Sequence, residues 1–370
     1  MTSILRALIV FVLLAAAGFA ADTPMAAEYT LMTAEWRKNA EAGEASAQNA
    51  LAYAYQNNLF GIPLDYVEAA KWYRKAAEQG YANAQSNLGD MYYNGTGVPK
   101  DDEEAVKWYR LAADLGNAMA QYNLGVMYSQ GRGVPKDSAE AMKWWRRAAD
   151  QDNARAQYIL GKMYANGTDV PKDAEEALKW YRKAAEQGNA PAQYILGKMY
   201  ANGTGVPKDD EEALKWWRKA AEQGYAPAQI DLAVFYALGE VVPKDSAEAV
   251  KLYRKAADQG YATAQYNLGT MYDNGDGVPK DSAEAMSWYR KAADKGDADA
   301  QFALGNMYYF GKGVPKDLVQ AHVWWNIAGA NEHENAKKNL AVVEKEMTSE
   351  QKAEAMKLAR ELFAKLPKGN

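Results

Sequence analysis

The 370-residue chain contains no cysteine. That excludes disulfides, thiolate metal sites and a cysteine nucleophile, and it leaves no cysteine to carry a lipid after an export signal. Histidine is nearly absent: only His322 and His333 occur, with no ligand spacing between them. His322 falls in a slot that other parts of the chain fill with Val106, Met142 and Leu178, so packing is its expected role. No serine is arranged beside either histidine, so a Ser-His-Asp site has no support. Long apolar runs are missing after the first twenty residues. A basic stripe is missing as well. The 43 basic and 48 acidic residues give a net charge of −5, and both signs mix along the same segments. This excludes the electrostatic footprint of a nucleic-acid binder.

What the chain has in abundance is repetition. A glutamine recurs at Gln48, Gln85, Gln121, Gln157, Gln193, Gln229, Gln265 and Gln301, and a proline at Pro63, Pro99, Pro135, Pro171, Pro207, Pro243, Pro279 and Pro315. The proline step is 36 residues throughout, and the glutamine step differs only once, by one residue, in the first loop. Two markers therefore count eight units, with the period of a solenoid. Each unit opens A-Q-x-x-L-G-x-M-Y, as in Ala120–Tyr128. The mid-helix glycine costs about 1 kcal/mol relative to alanine, and its recurrence at Gly89, Gly125, Gly161, Gly197, Gly269 and Gly305 implies a close neighbour. The second half of each unit opens with an aspartate and, three residues on, Glu or Gln, as in Asp137/Glu140. That predicts a capping box. Ala105, Trp108, Tyr109, Ala112 and Ala113 then share one helical face, and a glycine closes the helix. Asp152 replaces that glycine once.

A-Q-x-x-L-G-x-M-Y followed by A-x-x-W-Y-x-x-A-A at this period resembles the Sel1-like repeat (SLR), a relative of the tetratricopeptide repeat. The resemblance implies a right-handed α-superhelix that serves as a scaffold or adaptor, commonly without enzymatic activity. Cysteine-rich secreted relatives do not bear on this chain. The expected organisation is all-α: an export signal over 1–20, an N-terminal capping helix within 21–43, eight helix-turn-helix repeats over 44–328, and capping helices over 329–370. The signal rests on Arg6 followed by the uncharged run Ala7–Ala21, too short to span a bilayer comfortably and ending in small residues. It predicts a periplasmic or secreted protein with no integral membrane segment after removal of the signal. Thr348 and Gln351 predict a capping box on a final helix.

The eleven tryptophans all fall in second-helix slots alongside alanines, which points to core packing rather than a sugar-stacking platform. The G-T-G loops follow a helix and lack G-K-[ST], so they are not phosphate loops. Asp273-Asn-Gly-Asp-Gly lacks the spacing of a calcium loop. No cofactor is expected. Carboxylate pairs recur as caps, which gives no support to a hydrolase.

Function is expected where the copies differ. One, five and eight residues after each glutamine, the side chains point away from the expected core side of the first helix. The resemblance makes that the concave face. Position one reads Tyr122, Tyr158, Tyr194, Ile230, Tyr266 and Phe302 through the later repeats, and position five contributes Lys162, Lys198 and Val234. This ladder is the expected groove for a protein partner. An envelope glycan, either peptidoglycan or exopolysaccharide, bound through the same tyrosines is the alternative.

Overall fold

The computed structural model describes residues 24–366, and every regular element in that range is an α-helix. The expected signal over 1–20 lies outside the described residues. The chain divides into two compact units at 172/173. The first unit holds α1 (Pro24–Glu41), α2 (Ala45–Asn57), α3 (Tyr66–Glu78), α4 (Ala82–Asn94), α5 (Asp102–Asp114), α6 (Ala118–Gln130), α7 (Ser138–Asp150) and α8 (Ala154–Asn166). The second holds α9 (Ala174–Glu186), α10 (Ala190–Asn202), α11 (Asp210–Glu222), α12 (Ala226–Leu238), α13 (Ser246–Asp258), α14 (Ala262–Asn274), α15 (Ser282–Ala293), α16 (Ala298–Phe310), α17 (Leu318–Ala330), α18 (Glu334–Glu346) and α19 (Ser349–Phe363). Within each unit, helices pack on their neighbours in chain order, and α17 packs on both α18 and α19.

Inside a repeat, the two helices meet through the glycine slot. A Cβ placed on Gly125 would lie 2.6 Å from the Trp145 ring, and one on Gly89 2.7 Å from the Tyr109 ring. The missing side chain lets the aromatic of the second helix approach the first helix's backbone closely. Trp145 then donates its indole N–H to the Tyr122 carbonyl at 3.2 Å, and Trp217 does the same to Tyr194 at 3.1 Å. The helix-propensity cost of the glycine is thereby offset by aromatic burial, at about 25 cal/mol per Å².

Between repeats, the recurring glutamine is the tie. Gln121 is buried and donates to the Ala113 carbonyl of the preceding helix at 3.0 Å, while its own oxygen accepts from Gln151 at 2.7 Å. Gln193 repeats the pattern with Ala185 and Gln223. A buried amide used on both sides fixes the register of one hairpin on the next, since leaving either group unpaired costs about 1–3 kcal/mol. The loops add a second tie. Gly133 has φ +64° and sits against the Asp102 carbonyl of the preceding repeat, where any side chain would collide. A third tie runs from an arginine to a tyrosine of the next repeat, as in Arg146 to Tyr164 at 2.7 Å.

The caps differ in one respect from expectation. Each second-helix aspartate accepts from the amide three residues on, as Asp137 does from Glu140 at 3.0 Å. The reciprocal half of the box is replaced by an ion pair: Glu140 holds Lys143 at 2.8 Å, and Glu68, Glu104, Glu176, Glu212 and Glu248 do likewise with a lysine three residues on. The N-cap amide is already used, as the Asp137 N–H donates to the Tyr128 carbonyl at 3.0 Å, so the glutamate has no free amide to accept from and pairs with the lysine. The full reciprocal box forms at Thr348/Gln351. Asp152 adopts the left-handed conformation of the glycine it replaces, with φ +60°.

Candidate protein-binding face

The tryptophans are buried, or half-buried for Trp108. Lysines lie over several of them: Lys75 over Trp72 at 4.0 Å, Lys219 over Trp216 at 4.3 Å and Lys291 over Trp288 at 3.5 Å. They belong to the core and its charged cover. His322 is fully buried, with Nε2 3.3 Å from Glu344. His333 caps α18 by accepting from the Ala336 amide and stacks on Phe302 with ring centroids 4.3 Å apart. Among the described residues, no group of His, Asp or Glu is placed to hold a metal. No described helix is long and apolar enough to cross a membrane.

The variable positions of the first helices are arranged differently in the two units. In the second unit, much of the ladder joins one repeat to the next. The Tyr194 hydroxyl donates to Asp231 at 3.0 Å, its ring tilts against Tyr225, and Lys198 lies 5.6 Å above it. Burial pushes both the Asp231 carboxyl and the Tyr194 phenol up. Ile230 and Val234 are half-buried against the core. Tyr266 tilts against Tyr289, whose phenol burial pushes up to about 12. Phe302 is covered by His333. Beside this row, Lys198, Asn202, Trp217, Asp231, Phe235 and Glu240 line an open groove of about 480 Å³.

In the first unit, Tyr122 and Tyr158 are half-buried and Lys162 is exposed. Tyr122 lines a second groove, of about 580 Å³, shared with Asn87, Asp90, Tyr93, Asn123 and Arg155. At its floor the Tyr109 hydroxyl donates to Asp90 Oδ1 at 2.6 Å, and Asn123 donates to the same oxygen at 2.9 Å. Burial pushes the Asp90 carboxyl up, against the opposing effects of Tyr109 and Arg155. Arg132 binds Asp102 through two hydrogen bonds, 2.8 and 3.0 Å, and lies over Tyr93 at 4.1 Å. That pairing holds the Asp102 carboxyl down.

The polar floor residues are what the sequence reading passed over. Asn87, Asn123 and Asp231 stand two positions after the glutamine, where Ile159 and Ile195 stand in other copies. A register position that holds Asn or Asp in four copies, isoleucine in two and alanine in two is the signal that could have found them.

The Sel1 repeat family model matches residues 45–81, 82–117, 118–153, 154–189, 190–225, 226–261, 262–297 and 298–333. Among solved structures, a Sel1 repeat protein from Oxalobacter formigenes is 35% identical over 90% of this chain and 92% of its own, with a TM-score of 0.59. A protective antigen of uropathogenic Escherichia coli with an SLR fold is 32% identical over 90% of this chain and 95% of its own, with a TM-score of 0.43. No curated protein sequence matches the chain.

Proposed function

The chain belongs to the Sel1 repeat family, and from that premise we propose that it is an exported adaptor whose variable first-helix faces hold a protein partner. Sel1 repeat solenoids generally mediate protein–protein interaction and are generally non-enzymatic. The observation that carries the proposal is a division of labour within each repeat. The glutamine tie, glycine slot and aspartate cap recur unit after unit, whereas the half-buried and exposed positions of the first helices change from copy to copy. Packing demands the first set; recognition of an irregular partner accounts for the second. Lys162 and Lys198 are exposed on these faces, and with Tyr158, Tyr194, Ile230 and Tyr266 they make the proposed contact line. Export rests on the pattern of residues 1–20.

Affinity capture with the chain from Ala21 onward, from an envelope extract of its own cell, tests the reading. A protein retained by the natural chain and lost with Lys162→Glu/Lys198→Glu is the expected result. Capture unaffected by the double substitution removes the contact line, and retention of purified glycan in place of any protein overturns the adaptor reading.

A further inference from the structure

We propose that the groove of the first unit receives an extended peptide segment and that Asp90 pairs with an arginine or lysine side chain of that segment. The inference rests on the protein-binding reading above and names the chemistry of one contact.

Asp90 is held as a receptor would be. Tyr109 from its own repeat and Asn123 from the next both donate to Oδ1, so the carboxylate plane is fixed from two sides. Among the described residues Oδ2 has no hydrogen-bond partner, and it is not one of the sealed polar atoms. It opens on the groove that Asp90 lines. No cation of the described chain forms an ion pair with Asp90; Arg155 shares the groove and is felt at Asp90 only through its field. A half-buried carboxylate without a cation is costly, and its free oxygen asks for a charge-assisted donor. A guanidinium or ammonium on a flexible stem supplies one.

The walls suit a peptide. Asn123 gives its amide hydrogen to Asp90 and Asn87 gives one to Asn49 at 3.3 Å, which turns their amides into the groove wall with carbonyl oxygens left to accept backbone N–H. Tyr93 and Tyr122 add aromatic surface, the kind of rigid contact that interfaces favour. At about 580 Å³ the groove has the size of a specific ligand site. A lone small amine would leave most of it wet.

Arg155 gives the proposal a sign that a structural role for Asp90 lacks. It repels an incoming cation, so removing it should tighten binding while removing Asp90 should weaken it. The test uses four blocked nonapeptide libraries, with acetyl and amide termini and random flanks, whose central residue is arginine, lysine, norleucine or glutamate. They are passed over the immobilised full chain. The expected result is about tenfold greater retention of the arginine and lysine libraries, loss of that preference in Asp90→Asn, and an enhanced preference in Arg155→Ala. Equal retention of all four libraries overturns the cation pairing while leaving a protein-binding face intact. Retention of none overturns the inference altogether, and envelope capture then decides separately whether the adaptor reading falls with it. Competition with N-acetylargininamide separates the sources: if it displaces the libraries at their own concentration, the site takes a small cation and the peptide assignment is overturned. Arg155 is exposed, so its substitution reads binding without a folding penalty even if Asp90→Asn disturbs the groove.

Discussion

At the scale of single residues, exceptions to the repeat explain two unsatisfied amide oxygens. The glutamine tie needs a donor at the end of the second helix: Gln79, Gln151, Gln223 and Gln259 supply it, and Asn331 stands in at the last repeat. Leu115 and Lys295 break the series, and Gln85 Oε1 and Gln265 Oε1 are the tie oxygens left buried without a partner. Leu115 is also 60% exposed, so it gains little from being apolar. Leu115→Gln should raise stability by about 0.5–1.5 kcal/mol, read as a higher urea midpoint with unchanged slope. Gly125→Ala should go the other way. Helix propensity alone predicts a gain of about 1 kcal/mol, but the added methyl meets the Trp145 ring, and overpacking of this kind costs about 1–3 kcal/mol. A stabilised Gly125→Ala variant would show that the ring has room to move.

Asp90 illustrates a residue that opposes the fold. Its folded pKa is raised, so the folded state holds the proton more tightly than the unfolded chain. Stability is then lost as pH rises from the ordinary aspartate value, about 3.9, through the folded pKa, and the loss is complete above both. Asp90→Asn should therefore stabilise the protein at pH 7, with the difference from the natural chain shrinking toward pH 3. Urea unfolding at pH 3, 5 and 7 checks it; a destabilised variant at pH 7 would contradict the role of burial. Asp102 has the opposite sign: its ion pair with Arg132 is worth something above its unfolded pKa, and the contribution disappears as acid protonates it.

At the scale of the helix, caps and ion pairs divide work that the sequence pattern assigns to one motif. Asp137 binds the helix amides, while Glu140 faces Lys143. Asp137→Ala should cost about 1 kcal/mol. Glu140→Ala should cost no more than about 0.5 kcal/mol, the value of an exposed pair one turn apart. Equal losses in thermal unfolding would mean that the glutamate caps after all. Where Ser287 replaces the lysine in α15, Glu284 turns to the Trp288 indole at 2.9 Å and still leaves the N-cap amide to the Tyr272 carbonyl.

At the scale of the molecule, hairpins within each unit are joined by the glutamine tie throughout and by the loop-glycine and arginine ties in most copies, so stability should be nearly a sum over neighbours. Deleting residues 262–297 removes a whole period. It brings Gln301 into the place of Gln265, facing the Ala257 carbonyl that Gln265 now uses. The shortened chain should fold with the same helicity per residue, measured by circular dichroism. A cut of 18 residues, half a period, should not, because it pairs unlike helices.

The eight repeats, their helix starts and stops, the buried tryptophans and the need for a close neighbour at Gly125 were all legible in the sequence. These features arise from interactions spanning a few residues, or one hairpin, and the period repeats them until they are unmistakable. The variable face was legible only as a set of positions. Tyr194 and Phe302 were readable as a ladder, but whether they face solvent depends on what the following repeat brings against them, and it brings Asp231 and His333. Asp90 was visible as one variable residue among many. Its burial, its two donors and its open oxygen come from Tyr109 and Asn123, 19 and 33 residues away. Short-range periodicity determined the scaffold from sequence alone; the packing of one copy against the next decided which polar groups are satisfied within the chain and which are left to meet a partner.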